Sequence, residues 1–142
     1  MAATIKTTVG RGGIVNLIEA LREDYARFPK DQSYDLYASD VFFQDPMNRF
    51  RGVDRYRAMI KFIDTAFLNV RMDLHTIEQI GDDIQMRWTL SWNAPLPWKP
   101  RMAISGRTEL KVNSAGLIAS HVDYWDCSRL NVVKQIFNSS QG

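Results

Sequence analysis

Residues 83–92 alternate without a break: Ile84, Met86, Trp88, Leu90 and Trp92 on one side, Asp83, Gln85, Arg87, Thr89 and Ser91 on the other. A period of two with one apolar, aromatic side predicts a strand whose single face must be covered. Nearer the N-terminus the period is helical. Ile14, Leu17, Ile18, Leu21, Tyr25 and Phe28 form one stripe, with Glu19, Arg22, Glu23 and Arg27 opposite, and Pro29 ends the helix because the residue before proline avoids helical angles. Residues 31–39 predict a brief helix capped by Asp31 or Ser33, and residues 41–45 a strand broken at Pro46. A turn at 47–52 carries Arg49 and Arg51. The second long helix covers 53–68, with Tyr56, Met59, Ile60, Ile63 and Phe67 on its stripe.

The remainder reads as strands. Residues 70–80 and 83–92 flank the hairpin signal Gly81–Asp82; strands at 101–112 and 117–126 flank a turn at 113–116. A short last helix carries Leu130, Val133, Ile136 and Phe137, with Ser128 as N-cap. Residues 1–13 read as a flexible tail, residues from 138 on as a frayed end, and 14–138 as a single domain. Helices followed by an antiparallel meander give an α+β fold, a cone-shaped curved sheet wrapped around N-terminal helices with a pocket inside.

Opposed residues of an antiparallel pair share a face. If 113–116 is a four-residue loop, Val112 pairs with Leu117, Thr108 faces His121, Gly106 faces Asp123 and Ile104 faces Trp125. The third long strand turns Met102, Ile104, Gly106, Thr108, Leu110 and Val112 inward, so His121, Asp123 and Trp125 go inward with them. A buried Asp beside a His needs a partner. The pair is either a satisfied structural contact or the polar part of a site. The same pairing logic puts His75 opposite Trp88, at the expense of Met72 and Leu74, so a bulge is expected there.

The 142 residues carry 18 Lys and Arg against 16 Asp and Glu, a net charge of +2. That balance, with no basic run interleaved with aromatics, argues against nucleic acid. No apolar run reaches the roughly 18 residues of a membrane span, and no secretory signal pattern is seen. The single Cys127 fits a reducing, cytoplasmic setting and reads as a buried structural thiol. Two histidines without metal-ligand spacing imply no metal site, and no phosphate-binding glycine motif or other cofactor signature is present. Trp88, Trp92 and Trp125 are either core or a stacking surface for a flat ligand. Trp98, between prolines, is expected over the pocket mouth or in a subunit interface.

The element order, and above all residues 36–46 (Leu-Tyr-Ala-Ser-Asp-Val-Phe-Phe-Gln-Asp-Pro), resembles the nuclear transport factor 2-like superfamily, which includes ketosteroid isomerase and the SnoaL-like polyketide cyclases. The resemblance covers about residues 14–126. Residues 24–29, 87–92, 95–100 and 121–125 are similar to an uncharacterised branch found in cyanobacteria and plant plastids. The resemblance implies that Asp45, at the Asp–Pro pair ending the first strand, matches the isomerase's general base. The positions of the isomerase's oxyanion-hole Tyr and protonated Asp hold Leu21, with Tyr25 one helical turn on, and Thr108. Its apolar pocket maps onto Trp88, Leu90, Trp92, His121, Asp123 and Trp125.

Two functions are therefore expected. One is a pocket for a small, partly apolar molecule, with Asp45 as base, His121 and Asp123 as acid or orienting pair, and Tyr25, Trp88, Trp92, Thr108 and Trp125 as ligand contacts. The other is a non-catalytic binding module that forms a homodimer through the outer sheet face, using Arg87, Thr89, Ser91, Arg107, Glu109, Val122 and Tyr124.

Overall fold

Asn16 starts the first helix. Its side-chain carbonyl accepts the Ile18 and Glu19 backbone N–H groups at 3.0 and 3.3 Å, satisfying donors that have no partner within the helix. In the computed structural model, which describes residues 7–10 and 13–138, α1 accordingly spans Leu17–Ala26 rather than beginning at residue 14. Two short strands precede it, β1 (Thr7–Gly10) and β2 (Gly13–Asn16), paired antiparallel where the sequence predicts part of a flexible tail. The rest of that tail, and residues 139–142, lie outside the described residues.

Only a single 3-10 turn, Tyr34–Leu36, forms where a short helix is predicted over 31–39. Ser33 does not cap it, because its backbone N–H and hydroxyl are both committed to Asp24, at 3.0 and 2.9 Å. The chain continues as β3 (Tyr37–Gln44), β4 (Arg49–Arg51), α2 (Val53–Ala66), β5 (Leu68–Ile80), β6 (Asp83–Asn93), β7 (Arg101–Val112), β8 (Ile118–Trp125) and α3 (Arg129–Asn138). The predicted turn at 47–52 thus contains β4, which pairs with the end of β3. Ser128 caps α3 as expected, its hydroxyl accepting the Asn131 N–H at 3.1 Å.

β3 to β8 form a six-stranded, curled, unclosed sheet in the order β4-β3-β8-β7-β6-β5, with β3 parallel to β8 and the other neighbours antiparallel. α1 and α2 lie against the concave side. Leu17 and Leu21 of α1 and Ile60 of α2 meet Phe43, Ile84, Met86 and Leu110 of the sheet in one buried cluster. The alternation of β6 holds: Ile84, Met86, Trp88 and Trp92 are buried.

The β7–β8 register differs from the expected one. Thr108 faces Asp123, Gly106 faces Trp125 and Leu110 faces His121, two positions from the predicted pairing. Val112 meets Ile118 instead of Leu117, and a bulge follows on β8, where Ala119 is skipped between Ile118 opposite Val112 and Ser120 opposite Lys111. One position comes from Asn113, whose side-chain oxygen accepts the N–H groups of Ala115 and Leu117, both at 3.0 Å, drawing Leu117 into the turn; the Ala119 bulge adds the second. A shift of two keeps the period-2 face, so His121 and Asp123 still point inward. In β5 the expected bulge falls at His75, between Leu74 opposite Trp88 and Thr76 opposite Arg87. It rotates His75 to the outer face, where Nε2 is 2.8 Å from Thr89 Oγ1, so His75 is not a pocket residue.

α3 is latched across the open end of the cone. The Gln135 side-chain amide pairs with the backbone of Ala103, accepting at 2.6 Å and donating at 2.9 Å, beyond the point where β8 stops pairing with β7. Trp98 donates its indole N–H to the Ile136 carbonyl at 2.7 Å and is 49% exposed. The loop tryptophan therefore ties down this helix and does not enter the pocket wall.

Candidate functional site

Between the concave sheet and the helices lies a cavity of about 430 Å³. Its walls are mostly aromatic and aliphatic. Trp88, Leu90 and Trp92 come from β6, Ile104 and Thr108 from β7, His121, Asp123 and Trp125 from β8, Phe43 from β3, Tyr25 from α1 and Tyr56 from α2, with Asp45 on the loop after β3. All the candidate site residues named from the sequence thus line one space. Trp92 is also stacked on Phe67, with ring centroids 4.5 Å apart and planes at 17°, so it is core as well as wall.

A chain of side-chain hydrogen bonds crosses the wall. The Trp88 indole N–H donates to Thr108 Oγ1 at 2.7 Å. Thr108, fully buried, donates to Asp123 Oδ1 at 2.5 Å. His121 Nε2 is 2.8 Å from the same oxygen. A carboxylate partner selects the tautomer with its proton on Nε2, which leaves a lone pair on Nδ1. Nδ1 is buried and has no hydrogen-bond partner among the described residues. The rings of Phe43, Tyr56 and Tyr37 surround the imidazole, with centroids 5.0, 5.5 and 6.5 Å away. The His121 side chain is 5% exposed and that of Asp123 18%. Both residues line the cavity, and the carboxylate is the more exposed of the two. Sequence pairing brings the two residues inside, but it does not show which of them is the more exposed.

Asp45 is built differently. Its Oδ1 accepts the backbone N–H groups of Met47 and Asn48, at 2.7 and 2.6 Å, and the Asn48 side-chain amide at 3.1 Å. This Asx-type turn redirects the chain from β3 into β4. Burial pushes the Asp45 carboxyl above the usual carboxylate range, and the charge of Asp123 adds to the rise, while the turn's hydrogen bonds oppose it. A raised folded-state pKa means that ionisation above the unfolded-state value costs stability, and that this cost disappears as the pH falls below it. Asp45→Asn keeps the turn's acceptor without the charge. It is expected to unfold at a temperature no lower than the parent at pH 7, and to lose that advantage near pH 3; differential scanning calorimetry at the two pH values checks this.

The phenols of Tyr25, Tyr37 and Tyr56 are all held above the ordinary tyrosine range, chiefly by burial, so they remain O–H groups near neutrality. The Thr108 hydroxyl opposes the rise at Tyr25, and the charge of Asp123 adds to it. Several lining residues were not singled out from the sequence as site residues: Phe28, Gln32, Met47, Asn48, Phe62 and Val132. Asn48 had a signal, a polar residue three after Asp45 around a proline. Gln32 had none, because it is carried to the wall by the turn anchored on Asp24. Cys127 is half-buried, not the enclosed thiol expected. Among the described residues no cluster of His, Cys, Asp and Glu could hold a metal ion, and no helix is long and apolar enough to cross a membrane.

Comparison with known proteins agrees with the architecture. No curated protein sequence matches the chain. Among solved structures, a protein with the ketosteroid isomerase-like fold from Catenulispora acidiphila, crystallised with trimethylamine, is 17% identical. The match covers 88% of this chain and 95% of that one with a TM-score of 0.68. An LEH-like epoxide hydrolase from M. tuberculosis is 16% identical, with 86% and 87% covered and a TM-score of 0.66. An NTF2-like protein of unknown function from Exiguobacterium is 14% identical, with 78% and 98% covered and a TM-score of 0.64. At these identities the shared property is the fold. The family described as "Uncharacterized conserved protein (DUF2358)" matches residues 15–121, and the chain, which has the nuclear transport factor 2-like fold, belongs to that family.

Proposed function

We propose that the chain binds a small, partly apolar molecule in this cavity and carries out acid–base chemistry on it. The observation that carries the reading is the pair of carboxylates, Asp45 and Asp123, on the wall of an otherwise aromatic and aliphatic space. Apolar walls give affinity for a flat molecule and raise the basicity of a carboxyl group. Asp45, whose carboxyl is shifted toward neutrality, takes a proton from the bound molecule. Asp123, fixed by Thr108 and His121, orients that molecule and accepts a hydrogen bond from it. Proton abstraction next to a carbonyl is the reaction class this arrangement suits.

2-Tetralone in deuterated buffer is a direct probe, because its α-protons exchange with solvent through an enol. Exchange followed by NMR is expected to be accelerated by the protein and slowed by roughly 10²-fold in Asp45→Asn. Saturable binding without accelerated exchange leaves a non-catalytic binding protein. A second reading, homodimerisation through the outer sheet face, draws on Tyr124, which is 39% exposed there with the Arg107 guanidinium 4.1 Å from its ring centre. A dimer by light scattering that Tyr124→Glu dissociates supports it, and a monomer at high concentration overturns it.

A further inference from the structure

We propose that the molecule this cavity takes is a small organic cation, an ammonium group on a flat apolar body. This deepens the pocket reading above and depends on it. Among the described residues no lysine or arginine side chain contributes to the cavity wall, whereas two aspartates and one histidine do. The arginines near Asp45 are directed elsewhere. Arg49 and Arg51 lie over the Phe42 ring, at 5.7 and 5.2 Å, and Arg55 lies over Phe50 at 5.3 Å. Arg129 reaches only the Pro46 carbonyl, at 3.4 Å. Among the described residues no lysine or arginine pairs with Asp123. Its partners are a threonine hydroxyl and an imidazole.

His121 does not supply the missing charge. Protonation of both ring nitrogens would bury an Nδ1–H among the Phe43, Tyr37 and Tyr56 rings with no acceptor among the described residues, and an unpaired buried donor is costly. The neutral ring leaves Asp123 as a formal negative charge at the cavity wall. Asp45 adds a second carboxyl to the same wall, and the two are close enough for Asp123 to disfavour ionisation of Asp45. Trp88, Trp92, Tyr25 and Tyr56 complete the surroundings. Aromatic faces and carboxylates both favour a desolvated cation and both disfavour an anion. At about 430 Å³ the space holds a two-ring body with an aminomethyl arm.

The test uses three probes of one shape: 1-naphthylmethylammonium, 1-naphthalenemethanol and 1-naphthoate, titrated into the full chain by calorimetry at pH 7. The ammonium ion is expected to bind roughly tenfold or more tighter than the alcohol, with the carboxylate weakest. Asp45→Asn and Asp123→Asn are each expected to weaken the ammonium ion by roughly three- to tenfold while leaving the alcohol nearly unchanged. Ammonium and alcohol binding equally, or the carboxylate binding best, overturns the proposal and leaves the pocket reading standing. If none of the three binds to folded protein, both fail. Should Asp123→Asn not fold, Asp45→Asn, whose turn keeps its acceptor, decides the charge dependence alone.

Discussion

Asp24→Ala is expected to lower folding stability by about 3 kcal/mol, because it removes a buried, charged acceptor that serves several donors at once. Asp24 is 3% exposed and accepts from Arg27 Nη2 at 2.8 Å, from the Ser33 N–H at 3.0 Å and from the Ser33 hydroxyl at 2.9 Å. Arg27 is one-third exposed, so its share of the loss is small. The larger part comes from Ser33, whose N–H and hydroxyl are buried and lose this acceptor. Asp24→Asn keeps an oxygen for one of them and is expected to cost less. Urea unfolding checks both, as a lower midpoint at unchanged slope. A loss below about 1 kcal/mol in the alanine variant would show that the turn is held by other contacts. The consequence reaches the cavity, because the turn that Asp24 anchors carries Phe28 and Gln32 to its wall, and Gln32 donates to the Asp24 carbonyl at 2.8 Å.

A methyl group at residue 106 is expected to cost about 2–3 kcal/mol and to disturb the site directly. A Cβ added to Gly106 would stand 2.3 Å from the Tyr124 carbonyl oxygen, and 3.1 and 3.2 Å from two carbons of the Trp88 ring. The first neighbour is backbone of β8, which cannot retreat without giving up ladder pairing. The second is the indole that donates to Thr108. Gly106→Ala is therefore expected to lower the thermal midpoint and to change the near-UV circular dichroism of the tryptophans. Gly81→Ala is a useful contrast. Nothing lies within 4 Å of its added Cβ, so its cost is confined to a positive φ of 61° in the β5–β6 turn and should leave the tryptophan signal unchanged. If both variants gave the same spectrum as the parent, the close packing of Trp88 on Gly106 would not exist in solution.

Much of the fold was legible because its signals are local. The alternation of residues 83–92 and of 101–112 gave β6 and β7 nearly to the residue, and Ser128 marked the start of α3. The failures were competitions between side chains that a pattern does not rank. Asn16 outbid the apolar stripe for the start of α1. Asp24 claimed Ser33 and removed the cap of the expected second helix. Asn113 enlarged the β7–β8 turn. The site survived that last error because a sheet face repeats every two residues, so a two-position shift changes partners without changing sides. The same rule counted against His75, since a bulge adds a single residue and turns the side chain outward.

By itself the sequence determined that a curved sheet with an aromatic inner face is covered by two helices, and that His121, Asp123 and Thr108 come from strands bordering one interior, whereas Asp45 was implied only by the superfamily resemblance. Periodicity carries that much, because burial of one face is a property of each element alone. Only the tertiary structure decided that Thr108 and His121 converge on a single oxygen of Asp123, that Trp98 fastens α3, and that among the described residues no lysine or arginine shares the cavity wall. Those facts depend on the crossing of elements distant in the chain, where angles and distances of a few ångströms, not residue type, settle which groups meet.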